Sequence, residues 1–155
     1  MTIRISTGLA KYMLDTGNVK QALTNCHIHF YSLPQPPSPD DPPNGTYLGE
    51  ASLNGDPFVE EFSTNGLNFG TASGRVLSKS AVETWKIKFT ATGTVASFRI
   101  KANSTDNNLL STTLIRIDGS CGIGTAFDMQ FANLDAVPNK IVTIDDGDLR
   151  LPLAV

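Results

Sequence analysis

Residues 84–101, Thr-Trp-Lys-Ile-Lys-Phe-Thr-Ala-Thr-Gly-Thr-Val-Ala-Ser-Phe-Arg-Ile-Lys, constrain the fold more than any other stretch of the chain. Trp85, Ile87 and Phe89 alternate with Lys86, Lys88 and Thr90. Beyond Gly93, Ala96, Phe98 and Ile100 alternate with Ser97, Arg99 and Lys101. A period of two sends successive side chains to opposite faces of a pleated strand, so each segment has one face for a core and one for water. The glycine-centred break predicts that the two strands form an antiparallel hairpin with polar residues turned outward.

The same grammar recurs along the chain. Cys26–Tyr31, Tyr47–Leu53, Pro57–Phe62, Leu67–Phe69, Val76–Leu77, Leu114–Asp118, Phe127–Phe131, Ile141–Ile144 and Leu149–Leu153 read as strands. Turn signals such as Asn54-Gly55, Asn65-Gly66, Asp118-Gly119 and Asp146-Gly147 separate many of them. Many short strands with regular punctuation and no βαβ rhythm predict a mainly β fold, an antiparallel β-sandwich or jelly roll. Residues 26–155 form that single domain.

Residues 1–25 are the one helical part. Ser6 or Thr7 caps a short helix carrying Leu9, Tyr12 and Met13. Asn18 caps a second one, with Gln21 in the capping-box position. Helices this short need a docking surface, so this arm either covers one end of the domain or reaches to a neighbouring subunit. Residues 33–45 hold six prolines, which excludes a central strand and favours an extended surface loop. Long loops of this kind tend to be functional or disordered.

Composition narrows the function. A charged fraction of 17% is low beside the usual figure of about 25%. The net charge of −3 and the absence of any Lys/Arg run argue against nucleic acid as a partner. No apolar run approaches the roughly 18 residues of a membrane span, and the first residues lack the order of a secretory signal. Cys26 and Cys121, far apart in sequence, could pair, but read rather as two buried free thiols of a cytoplasmically made protein.

Chemistry-bearing patterns are sparse. His27 and His29, two apart on one strand face, can reach one metal ion, but the sequence identifies no third ligand. Surface or interface histidines are the expected reading. Asp145-Asp146-Gly147-Asp148 lacks EF-hand spacing and reads as a turn. Glu60 and Glu61 are neighbours that would point apart on a strand, so they do not make a glycosidase pair. Gly119–Gly124 lacks the Lys-Ser/Thr of a phosphate loop, and its glycines are expected to let the chain swing between sheets. Trp85 reads as core. Arg116, between Ile115 and Ile117, requires a carboxylate partner that the sequence does not name. No catalytic residue, cofactor or metal is expected.

The run Cys26-His-Ile-His-Phe-Tyr-Ser-Leu-Pro-Gln-Pro-Pro-Ser-Pro-Asp-Asp41, followed by Gly45-Thr-Tyr-Leu-Gly49, resembles a pattern in small structural proteins of tailed bacteriophages. Glu83-Thr-Trp85, Ala96–Ile100, Ser111–Gly119 and Leu151-Pro-Leu153 extend the resemblance over most of the chain. Leu33 stands where the pattern has glycine, and residues 36–43 carry extra prolines; both bear on loop shape. The resemblance implies a virion component without reactive groups. The leading expectation is a decoration (cement) protein on the outside of the phage head, bound to the major capsid protein and to copies of itself as a dimer or trimer. The contact residues expected are Leu9, Tyr12 and Met13 on the arm and Pro34, Pro36, Pro37, Pro39 and Pro42 on the loop. A tail or neck component is the second reading. A carbohydrate-binding module using Tyr31, Tyr47 and Trp85 is the third.

Overall fold

The computed structural model describes residues 3–150. Strand β1 (Arg4–Ile5) precedes helices α1 (Thr7–Asp15) and α2 (Val19–Ala22). Strands β2 (His27–Tyr31), β3 (Tyr47–Leu53), β4 (Val76–Ser78), β5 (Trp85–Phe89), β6 (Gly93–Thr94) and β7 (Ser97–Lys101) follow. The chain continues through β8 (Arg116–Gly122), β9 (Met129–Gln130), β10 (Asp135–Ala136), β11 (Ile141–Ile144) and β12 (Asp148–Arg150). Eight strands form one sheet in the order β1-β8-β7-β2-β3-β5-β11, with β9 added to β8 as its parallel partner. Two antiparallel ribbons, β6-β10 and β4-β12, complete the strands. The fold is mainly β and antiparallel with two short N-terminal helices, consistent with a β-sandwich; its jelly-roll form stays an expectation.

The alternation in residues 84–101 is real, but its two strands do not pair with each other. β5 lies between β3 and β11, and β7 lies between β2 and β8. Each strand finds more apolar surface beside those neighbours than a two-strand hairpin supplies. Pro57–Phe62 is not a strand. Phe62 N and Ser63 N both donate to Val59 O in a turn, and Glu61 takes φ of 68°. Leu67 and Phe69 make only single bridges, to Cys26 and Lys79. Of the expected strand Leu149–Leu153, residues 151–153 lie outside the described residues.

One face of the broad sheet is apolar. Ile28 and Phe30 of β2 stand opposite Ile100 and Phe98 of β7, and Ile28 stands opposite Ala51 of β3, which faces Ile87 of β5. Leu9 from α1, Leu23 after α2, Leu77 from β4 and Ala136 from β10 close this core from the other side. A β-bulge shifts the β2–β3 register between Phe30 and Tyr31, so Tyr31 faces Tyr47. The extra residue, Leu48, thereby leaves the parity of Glu50 and Ser52 and joins the core, while Tyr47 joins the polar face. The glycines at 119 and 122 lie inside β8. A Cβ on Gly119 would sit 2.3 Å from the Phe98 ring, and one on Gly122 would sit 2.3 Å from the Phe127 ring. They make room for aromatics and do not act as hinges between sheets.

The opposite face carries His27, His29, Tyr31, Glu50, Ser97, Arg99, Lys101, Arg116 and Asp118, and here the outward-facing expectation fails. Arg99 and Lys101 are each 1% exposed and Arg116 is fully buried. Loops 32–46, 54–66 and 102–115 lie across this face and cover it.

Candidate functional site: a buried polar face

Register sets ionisable groups side by side, one pair of opposite charge and one of like charge. Arg99 lies opposite Asp118 across β7–β8, and Lys101 opposite both His27 and Arg116. Removing such charges from water costs several kcal/mol per ion unless each is paired with good geometry. Arg99 Nε and Nη2 donate to the two Asp118 carboxylate oxygens at 2.7 Å each. Arg116 Nε and Nη2 donate to Asp106 at 2.8 and 2.6 Å. Asp106 is the partner that the sequence left unnamed.

The proline-rich loop accepts several of the remaining guanidinium hydrogens, while the buried Arg99 Nη1 has no hydrogen-bond partner among the described residues. Proline has a carbonyl but no N–H, so a loop rich in it has more acceptors than donors. Arg116 Nη1 donates to Pro39 O at 3.1 Å and Asp40 O at 3.3 Å, Arg99 Nη2 to Asp41 O at 2.9 Å, and Arg4 Nη1 to Pro36 O at 2.6 Å. The three loops are also tied to each other. Asp106 N donates to Glu60 and Thr105 to Glu61, while Ser111 N donates to Asp40 O.

At the β2–β3 end of this face is a cluster rich in imidazole. His27 Nδ1 lies 3.3 Å and His29 Nε2 3.5 Å from Glu50 Oε2, and His27 Nε2 lies 3.3 Å from Glu60 Oε1. Lys101 Nζ holds Glu60 Oε1 at 2.6 Å. His29 Nδ1 meets the Tyr31 hydroxyl at 3.2 Å. Phe58 stacks on His27 with ring centroids 4.5 Å apart. Burial holds His29 down to about 4. Burial pushes the Glu50 carboxyl up, but hydrogen bonds from the two histidines outweigh it and hold the group at about 2. At neutral pH a carboxylate therefore sits beside the uncharged imidazole of His29. An open depression of about 420 Å³ adjoins the cluster, lined in part by Tyr47, Phe58, Val59 and Asn108.

Of the histidines expected at a surface or interface, His27 is 2% exposed and His29 half-buried, so neither lies open on the surface of this chain. Glu50 is the third group that the sequence did not identify. Its alternation with Ala51 was visible, but the register that sets it opposite His29 was not. Glu60 and Glu61 do part company, the first turning to His27 and Lys101, the second to Thr105.

The contact residues expected from the sequence are divided. Leu9 is fully buried in the core, so α1 packs on the domain through it and this side chain is not available to a neighbour. Tyr12 is half-buried and Met13 exposed. Pro34, Pro37 and Pro42 are exposed, whereas Pro36 and Pro39 are buried, because their carbonyls turn inward to Arg4 and Arg116. Trp85 is core, with its Nε1 donating to Glu83 at 2.8 Å. Asp146 and Gly147, expected as a tight turn, lie in an irregular link between β11 and β12, which pair with different strands, and Asp148 accepts from Ser78 and Arg150 beside it. Cys26 and Cys121 are buried free thiols, and burial pushes the Cys26 thiol up to about 12.

No family model, curated protein or solved structure matches this chain.

Proposed function

We propose that this chain is a structural protein of a tailed-phage virion, in the first instance a decoration protein bound in many copies to the outside of the head. The observation that carries the reading is the loop layer. Three loops are pinned by buried arginines and a lysine, and they expose Leu33, Val59, Phe62, Leu109 and Leu110 on their outer side. Phe62 is 81% and Leu110 70% exposed. Apolar side chains held on a stiff support lose little entropy on docking. A contact of roughly 1,600 Å² per copy, repeated over a shell, opposes expansion without strong affinity at any one site. The partners are the major capsid protein and copies of this chain, and no catalytic step is assigned. The resemblance of residues 26–49 to phage structural proteins supports the same reading. Glycan stacking is less favoured, because of its three candidate aromatics Trp85 and Tyr31 are buried and Tyr47 alone is exposed.

The test is the position of the labelled chain in intact particles by electron microscopy, with add-back of purified protein to heads lacking it. Label on the head, and heads that resist heat only after add-back, are the expected results. Label on the tail would move the chain to the neck or tail class, and particles without label would end the virion reading. Phe62→Ser combined with Leu110→Ser is expected to reduce head binding at least tenfold while leaving the fold intact.

A further inference from the structure

Three carboxylates in the buried face have a Lys or Arg partner: Asp118 with Arg99, Asp106 with Arg116, and Glu60 with Lys101. Among the described residues Glu50 has none; its ion-pair contacts are the imidazoles of His27 and His29. A carboxylate drawn into a protein requires positive charge nearby, and two imidazoles beside it are also a metal's preferred nitrogen donors. We propose that His27, His29 and Glu50 bind a borderline divalent transition-metal cation of the Zn²⁺ class, through His27 Nδ1, His29 Nε2 and a carboxylate oxygen of Glu50.

The geometry fits that class. Bonds of about 2.0–2.1 Å to a tetrahedral ion set ligand atoms about 3.3 Å apart. The His27–Glu50 and His29–Glu50 separations are 3.3 and 3.5 Å. The ligand atoms of the three residues all lie within 4.8 Å of one another, so modest side-chain rotation closes the third edge.

A second observation is independent of these distances. His27 Nε2 is buried at the wall of the depression and has no hydrogen-bond partner, although Glu60 Oε1 lies 3.3 Å away off the bonding line. When Nδ1 binds a cation, Nε2 must carry the ring proton, and an outer carboxylate is the usual acceptor. Glu60 stands in that place, held by Lys101 and by Asp106 N. The Tyr31 hydroxyl stands in the corresponding place behind His29 Nδ1. Glu60 is already neutralised by Lys101, which leaves Glu50 as the anionic ligand. The adjoining depression gives water access to a fourth position. Two imidazoles disfavour Ca²⁺ and Mg²⁺, which take oxygen donors. Such an ion would fasten β2 to β3 beneath Phe58 and Glu60, whatever the chain adheres to.

The test uses the full chain stripped with chelator. Calorimetric titration with ZnCl₂ near neutral pH is expected to give one ion per chain. CoCl₂ is expected to give the visible bands of a four- or five-coordinate site, displaced by Zn²⁺ and untouched by CaCl₂. Glu50→Gln and His29→Gln, each checked for folding by circular dichroism, are expected to weaken binding at least tenfold. If either variant fails to fold, imidazole resonances of the unaltered protein decide: Zn²⁺ must shift those of both His27 and His29. Absence of saturable Zn²⁺ binding, unmoved imidazole resonances, or affinity unchanged in both folded variants would overturn the site.

Discussion

Arg116 is the residue on which the buried face turns. Its guanidinium reaches Asp106 through two nitrogens and the carbonyls of Pro39, Asp40 and Leu109, so one side chain joins β8 to two loops. Burial pushes the Asp106 carboxyl up, but the Arg116 hydrogen bond and the Lys101 charge prevail and hold it below the usual carboxylate range. Asp106→Ala would leave a fully buried guanidinium short of its anion, and breaking such a pair costs about 3–5 kcal/mol. Urea unfolding of the variant is expected to report a loss of that order, and a change below about 1 kcal/mol would show the pair to be dispensable. That Arg116 needs a carboxylate partner was legible from its place between two isoleucines, though not whether it lies inside the domain or at an interface. Its partner was not, because Asp106 lies ten residues away in a loop whose path depends on Glu60 and Lys101.

Among the elements, α1 was the most legible and also hides a close backbone contact. Ser6 caps it, accepting from Leu9 N at 3.1 Å, and the same hydroxyl donates to Leu114 O and accepts from Arg116 N. Asn18 and Gln21 form the reciprocal capping box of α2. The cap therefore fastens the helix to the start of β8 as well as starting it. Gly8 allows this approach: a Cβ there would lie 2.4 Å from the carbonyl oxygens of both Thr113 and Leu114. Gly8→Ala gains up to about 1 kcal/mol of helix propensity, but forcing backbone apart costs about 1–3 kcal/mol. Packing wins, and thermal melts are expected to show a lower midpoint for the variant; a higher one would mean that α1 does not pack closely on residues 113–114. The hairpin expected from residues 84–101 failed at this same scale. Period two fixes which side chains share a face but not which strands become neighbours.

Over the whole molecule, the buried ionisable groups sum to an acid-sensitive fold. His29 is held at about 4 against an ordinary 6.5, so the unfolded chain takes its proton first as pH falls. Stability present at neutral pH is lost between those values. Glu50, held at about 2 against 4.5, adds a loss that runs from 4.5 towards 2, and Asp106 adds another in the acidic range. Asp118, pushed up by burial, opposes the trend, since its folded form accepts a proton more readily. Melting midpoints of the chelator-treated protein are expected to fall steadily below pH 6.5, with the first part of the fall flattened in His29→Gln. A midpoint constant from pH 7 to 4 would mean that the His29 imidazole is open to water.

Period-two alternation, turn dipeptides and capping residues act within a few positions. The sequence alone therefore determined the strands at Tyr47–Leu53 and Ile141–Ile144, the cap at Asn18, the first cap to within Ser6 or Thr7, and the burial of Trp85. Tertiary structure decided what lies against the polar face. Alternation marks a face as polar but does not say whether water or another stretch of chain satisfies it. Here proline carbonyls and distant carboxylates do so, while strand pairing brings Glu50, and loop 54–66 brings Glu60, to His27 from positions 23 and 33 residues further along. Local pattern cannot encode that meeting, because it depends on sheet order and on the three loops closing together.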